Sequence, residues 1–304
     1  MKKILVPTDF SPIASKALDF AIQTAKLLQL EVHLIHAFNV VDNVYIDYMG
    51  VNWEFTQFQL DDMYERLYQL KIDIEKREGI LVNTAVYKNT VKEGIIEAVT
   101  DNHIDLIVMG TLGASGIKEK LWGTQTGHVI GKTTVPLIVI PEDYNWKKPE
   151  KFLLLTNHFE SDPVILDFLF QLAELFQAQV HIAVFTDEDD ITITILEHGR
   201  RTFQYEYMLK QRYKNARLAV THLFGTEFEN TLQTYIMDNE IDMLAMITHK
   251  RKFWARIFHP SMTKKMSYHT KIPLLTFSVS PFHSDENKNE VGEDDQVLLP
   301  IMGL

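Results

Sequence analysis

Lys3-Ile4-Leu5-Val6-Pro7-Thr8-Asp9 recurs 148 residues further on as Lys151-Phe152-Leu153-Leu154-Leu155-Thr156-Asn157. Each copy is a short apolar run that ends at a polar turn and is followed by apolar residues at steps of three and four, the order of a strand leading into a helix. In the first copy the helical positions are Ile13, Ala17, Phe20, Ala21, Thr24, Leu27 and Leu28, and Ser11-Pro12 supplies the helix start. In the same frame Ala25, Leu27, Gln29, Val32 and His33 meet identical residues at Ala173, Leu175, Gln177, Val180 and His181. Further along the offset becomes 137: Asp101-Asn102-His103-Ile104-Asp105 meets Asp238-Asn239-Glu240-Ile241-Asp242, and Val135 to Ile140 meets Ile272 to Phe277. Similarity at a fixed offset marks duplication of one structural unit. The second copy is shorter by 11 residues in its middle.

Working outward, the first copy predicts strands at Val32 to Ala37, Thr84 to Tyr87, Leu106 to Met109 and Leu137 to Ile140, with a helix over Val91 to Asn102. Strands alternating with helices indicate an α/β fold with a parallel sheet, and unbroken apolar strands such as Leu106-Ile107-Val108-Met109 fit burial on both faces. The expected domains are residues 1–144 and 150–281, joined by a short polar linker from Glu142 to Glu150, with an acidic mobile tail over 282–304. The extra length of the first copy lies between Asn39 and Gly79, where Asp61 to Glu78 reads as helix. Its aromatic residues Tyr45, Tyr48, Trp53, Phe55, Phe58, Tyr64 and Tyr68 are expected to pack that segment onto the sheet or onto the other repeat.

Composition narrows the function. Of 304 residues 46% are apolar and 23% charged, the balance of a packed protein of about two domains. Thirty basic against forty-one acidic side chains leave a net charge of -11, which makes nucleic acid an unlikely partner, although six acids and one lysine sit in the tail alone. With no cysteine there are no disulfides, thiol nucleophiles or thiolate metal sites, and a cytoplasmic location is expected. The opening apolar run, Ile4 to Val6, is too short for a signal-peptide core, and no stretch is long and apolar enough to span a membrane.

Six of the thirteen glycines fall within residues 110–131. Gly110-Thr111-Leu112-Gly113 follows the buried strand directly, and after nine intervening residues Gly123-Thr124 opens a helical stretch. Glycines let successive amides converge on an anion, and a helix start adds free N–H groups, so this pattern reads as a phosphate cradle. G-x2-G-x9-G-[S/T] after a hydrophobic strand resembles the nucleotide motif of the universal stress protein family, matched here by Gly110, Gly113, Gly123 and Thr124. Val6 to Ser11 resembles that family's first strand and turn.

The resemblance spans both repeats. It implies two tandem five-stranded parallel sheets of order 3-2-1-4-5, the adenine-nucleotide alpha hydrolase-like architecture, paired through their fifth strands as an internal pseudo-dimer. A homodimer of two chains would be a further level of assembly. It also implies an adenine-nucleotide ligand, ATP first, with or without Mg, at the point where strand order reverses. Pro7, Thr8, Asp9 and Ala37 would surround adenine and ribose, and Met109 would line the adenine side. Gly110, Thr111, Gly113, Gly123, Thr124 and Gln125 would hold ribose and phosphates. Leu112 and Ala114 depart from the family's frequent polar and basic residues, which weakens the case for a triphosphate and leaves ADP and AMP open. Lys118 and Lys120 offer partial compensation.

In the second copy Gly110, Gly113 and Gly123 become Ile247, Lys250 and Pro260, and Asp9 becomes Asn157, so no amide cradle is expected there. Gly127 to Thr133 resembles a P-loop but has the wrong spacing and would end a helix rather than begin one. His33 and His181, at equivalent positions, read as packing residues. No metal ligands and no catalytic residues are assigned, and neither a GxSxG elbow nor a positioned base for phosphoryl transfer is evident. The expected function is a stress-response sensor or binding module. The alternatives are a nucleotide-independent interaction or chaperone-like scaffold and, more weakly, a slow nucleotide hydrolase.

Overall fold

A computed structural model describes residues 1–38, 46–47, 50–51, 53–111, 124–186, 192–224, 228–247 and 271–278. The first half contains β1 (Lys3–Pro7), α1 (Pro12–Leu28), β2 (Glu31–Ala37), the small antiparallel pair β3 (Ile46–Asp47) and β4 (Gly50–Val51), α2 (Trp53–Glu78), β5 (Val82–Tyr87), α3 (Val91–Asn102), β6 (Leu106–Thr111), α4 (Thr124–Val129) and β7 (Leu137–Pro141). The second half repeats the plan as β8 (Lys151–Thr156), α5 (Pro163–Phe176), β9 (Gln179–Thr186), α6 (Thr192–Arg212), β10 (Leu218–Phe224), α7 (Phe228–Asp238), β11 (Met243–Ile247) and β12 (Leu274–Phe277).

The main strands form one sheet in the order β10-β9-β8-β11-β12-β7-β6-β1-β2-β5. Each half therefore has the order 3-2-1-4-5. All neighbours are parallel except β7 and β12, which run antiparallel, with Leu274 opposite Val139 and Thr276 opposite Leu137. The two fifth strands cover each other's apolar edges, as expected, and Thr276 Oγ1 adds a hydrogen bond to the Leu137 carbonyl at 3.2 Å.

Alternation along each strand divides the core between the two faces. Ile4, Val6, Leu106, Val108, Phe152 and Leu154 pack with α1, α2, α5 and α6, whereas Leu5, Ile107, Met109, Leu153 and Leu155 pack with α3, α4 and α7. Helix starts follow the sequence signals. Ser11 caps α1, its Oγ accepting from Ala14 N at 3.1 Å, and Asp162 caps α5 by accepting from Val164 N. The duplication extends to backbone conformation: Gln29 and Gln177, at offset 148, both close their helices with φ near +55°, and His103 and Glu240 share the left-handed region at offset 137.

The repeated Asp-Asn-x-Ile-Asp segments act at their last residue. Asp105 Oδ2 accepts from the backbone N–H of Lys2 and Lys3, and Asp242 Oδ2 accepts from Glu150 and Lys151. In both halves the first-strand lysine, Lys3 or Lys151, donates from Nζ to the carbonyl of the Asn at the preceding helix end. These contacts tie the start of the first strand to the start of the fourth. His33 and His181 are buried, and burial pushes both imidazoles below their ordinary pKa, which fits neutral packing groups.

Two expectations change. The segment from Glu142 to Glu150 is packed rather than a bare linker: the Tyr144 and Trp146 rings lie 6.0 and 5.1 Å from Phe20 of α1, and burial pushes the Tyr144 hydroxyl up to about 12. In α2 the buried side chains are Leu60, Leu67 and Ile74, one every seven residues, with Leu70 packed against the same core as Leu67 and Ile74, while Phe58, Tyr64 and Tyr68 are exposed. A single apolar stripe suffices for a helix lying on one face of a sheet. Tyr45 and Tyr48, the side chains of Trp53 and Phe55, and the tail lie outside the described residues. The pseudo-P-loop occupies the end of α4 and the turn before β7, with Gly131 at φ +72°.

Candidate nucleotide crevice

Order reverses between β1 and β6, and a crevice opens at their carboxyl ends, where open α/β sheets place ligands. The end of β1 supplies Pro7 to it, and the turn that follows supplies Thr8, Asp9 and Ser11. His36 and Ala37 come from the end of β2, Val91 from α3, and Met109 and Gly110 from β6. Gln125 and Thr126 of α4 close one side.

The turn is built by its own side chains. Thr8 N–H bonds the Ile35 carbonyl at 2.8 Å, continuing the β1–β2 ladder, while Thr8 Oγ1 accepts from Phe10 N and Asp9 Oδ1 accepts from Ser11 N, each at 3.0 Å. Phe10 takes φ +62°, a rare conformation for a bulky residue. His36 Nδ1 lies 2.8 Å from the Thr8 carbonyl and donates to it.

Gly110 has a packing reason that its motif does not reveal. A Cβ there would stand 2.5 Å from the Ile13 carbonyl oxygen and 2.6 Å from Ile13 Cγ2. Its lack of a side chain lets the first turn of α1 settle against the end of β6. The Gly110 carbonyl accepts from Thr126 Oγ1 at 2.8 Å, which draws α4 onto the same point.

Of the residues expected from sequence, Pro7, Thr8, Asp9, Ala37, Met109, Gly110 and Gln125 converge on this crevice. Thr111 is buried at the end of β6 and is not among the lining residues. Thr124 opens α4, with its side chain outside the described residues, as are Gly113, Gly123, Leu112, Ala114, Lys118 and Lys120. Sequence reasoning missed His36, Ser11, Val91 and Thr126. His36 adjoins Ala37 and Thr126 adjoins Gln125, so the signal was adjacency to residues already singled out.

The corresponding turn of the second half is closed by its own hydrogen bonds. Thr156 Oγ1 lies 2.9 Å from His158 Nδ1, and His158 Nε2 lies 3.0 Å from Glu160 Oε2. Glu160 Oε1 accepts from Ser161 N at 2.8 Å and Asp162 N at 2.7 Å, and its carbonyl takes the Tyr205 hydroxyl at 2.5 Å. Burial pushes the Glu160 carboxyl upward, but the His158 and backbone N–H bonds outweigh it and hold the group below the ordinary glutamate pKa. A carboxylate with a depressed folded pKa stabilises the fold above its unfolded pKa, and that contribution disappears as pH falls through the folded value. The stability difference between wild type and Glu160→Gln is therefore expected to be largest near neutrality and to shrink below about pH 4.5. Urea denaturation between pH 7 and pH 3 measures it; a constant difference would contradict the carboxylate's role.

Among the described residues no cluster of His, Asp and Glu is arranged to hold a metal ion, and no helix is long and apolar enough to cross a membrane.

The universal stress protein family model matches residues 1–141, the half that holds the crevice. A universal stress protein of Methanocaldococcus jannaschii is 30% identical over 151 residues, covering 49% of this chain and 84% of the relative. A second one from that organism is 28% identical over 153 residues, covering 46% of this chain and 94% of the relative. Among solved structures, a universal stress protein from Archaeoglobus fulgidus covers 91% of this chain and 98% of its own, with a TM-score of 0.65 at 17% identity, a likeness of fold along both halves. Relatives about half this chain's length agree with a duplicated unit, and the chain belongs to the universal stress protein family.

Proposed function

We propose that the first half binds one adenine nucleotide, ATP first, in the crevice between β1 and β6, and that the protein works as a nucleotide-responsive binding module in stress adaptation. The observation that carries this reading is the convergence of the β1 turn, the end of β2, and Met109 and Gly110, the first residue of the glycine motif, on one crevice at the switch point. The crevice suits such a ligand chemically. Ala37, Val91 and Met109 provide apolar walls for a flat base, and the exposed Asp9 carboxylate at the rim accepts hydrogen bonds from ribose hydroxyls. Amides of residues 110–124 would take the phosphates.

The second half serves as structural partner. It has Ile247 where the first has Gly110, and its turn is satisfied internally by Glu160 and His158. Gly113→Val should abolish ATP binding in calorimetry while preserving the circular dichroism spectrum, because in the proposed cradle a side chain would compete with the phosphates. Lys250→Ala, at the equivalent place in the second half, should leave affinity unchanged. Retained affinity in the first variant, or a large loss in the second, would place the site elsewhere.

A further inference from the structure

Phe10 is the strained residue of the crevice turn, with φ +62°, and its ring is held from two sides. The Arg66 guanidinium of α2 lies over it, 4.1 Å from the ring centroid, and the His36 ring lies 5.2 Å away at 31°. Such a backbone conformation in a bulky residue persists only where its surroundings hold it. The neighbours of Phe10 in the chain, Asp9 and Ser11, line the crevice, and Asp9 Oδ1 accepts from the Ser11 backbone N–H, closing the turn around Phe10. In the second half the equivalent residue, His158, does not take a positive φ, and it faces Thr156 and Glu160 instead. The clamped turn thus accompanies the half with the glycine motif. The other partner of Arg66 is Asp62, one helical turn earlier and 3.9 Å away, a contact too long and exposed to fix the guanidinium by itself.

We propose that Arg66 is a positioning residue of the nucleotide crevice: through the Phe10 ring it holds the Thr8 to Ser11 turn in the conformation that presents Asp9 to the ligand. It acts from α2, the helix of the longer segment that distinguishes the first copy, and needs no contact with the nucleotide. The inference rests on the nucleotide reading above. The interaction is a cation over an aromatic face, so lysine substitutes for arginine in it and neutral side chains do not.

Calorimetry with ATP on the full chain tests the inference, together with hydrogen exchange of the peptide covering Thr8 to Ala14 in the ligand-free protein. Arg66→Ala should weaken ATP binding about three- to five-fold, the size of an exposed cation–aromatic contact, and speed exchange at Phe10 and Ser11. Arg66→Lys should restore both. Phe10→Leu should match Arg66→Ala, and the double variant should be no weaker than Phe10→Leu alone, since both act through one contact. Unchanged affinity in Arg66→Ala, no rescue by lysine, or additive losses in the double variant would overturn the proposal. If the wild type binds no ATP, the nucleotide reading fails and this role fails with it. Wild-type binding with no loss in Arg66→Ala overturns the clamp alone.

Discussion

Gly110→Ala is expected to lower stability by about 1–3 kcal/mol, the usual cost of forcing an extra group into a filled site. The added methyl would sit 2.5 Å from the Ile13 carbonyl oxygen, a backbone atom that no rotamer change can move. Relief requires α1 to withdraw from β6, and α1 starts at Ser11 in the crevice turn, so nucleotide affinity should fall together with stability. Removing the Ile13 side chain as well should not restore either property, because the carbonyl remains. Urea denaturation of Gly110→Ala and of the Gly110→Ala, Ile13→Ala pair measures this. A single variant as stable as the wild type, or rescue by Ile13→Ala, would show that the backbone approach is not what requires glycine.

Asp242→Ala should cost about 2–4 kcal/mol, because it leaves two strand-end N–H groups without their acceptor and removes a charged partner. The carboxylate is buried and receives Glu150 N–H at 2.9 Å, Lys151 N–H at 3.1 Å and Lys147 Nζ at 2.7 Å. Lys147 is held above the ordinary lysine pKa by that side-chain bond. Asp242→Asn keeps one carbonyl acceptor and should lose roughly half as much. The same packed segment carries Tyr144 and Trp146 against Phe20, so loosening its end at Asp242 should also expose Trp146, readable as a red shift in fluorescence. A loss no larger than that of an exposed carboxylate such as Glu174→Ala would contradict this account.

Much of this architecture was legible because it repeats. The β1 and β8 runs, the helix start at Ser11-Pro12 and the helix over Val91 to Asn102 are local patterns, and two copies of a pattern constrain each other. The pairing of the edges at Leu137 and Leu274 was implied by the family resemblance, and their apolar character agrees with it because an exposed edge needs cover. The part that stayed hidden depends on partners distant in sequence. Nothing near Gly110 announces that Ile13 approaches it, so its glycine reads as a ligand contact when it is also a packing requirement. Asp105 and Asp242 brace strand starts about a hundred residues upstream, which the repeat of their segments alone cannot show. The aromatic residues of α2 misled for a related reason: ring content alone does not say which face meets the sheet, and the Leu60, Leu67 and Ile74 stripe does.

The central claim is that two like halves carry unequal ligand equipment, and the stoichiometry of ATP binding to the intact chain tests it most directly. Calorimetric titration should give one site per chain. No binding at millimolar ATP, or two sites per chain, would contradict it.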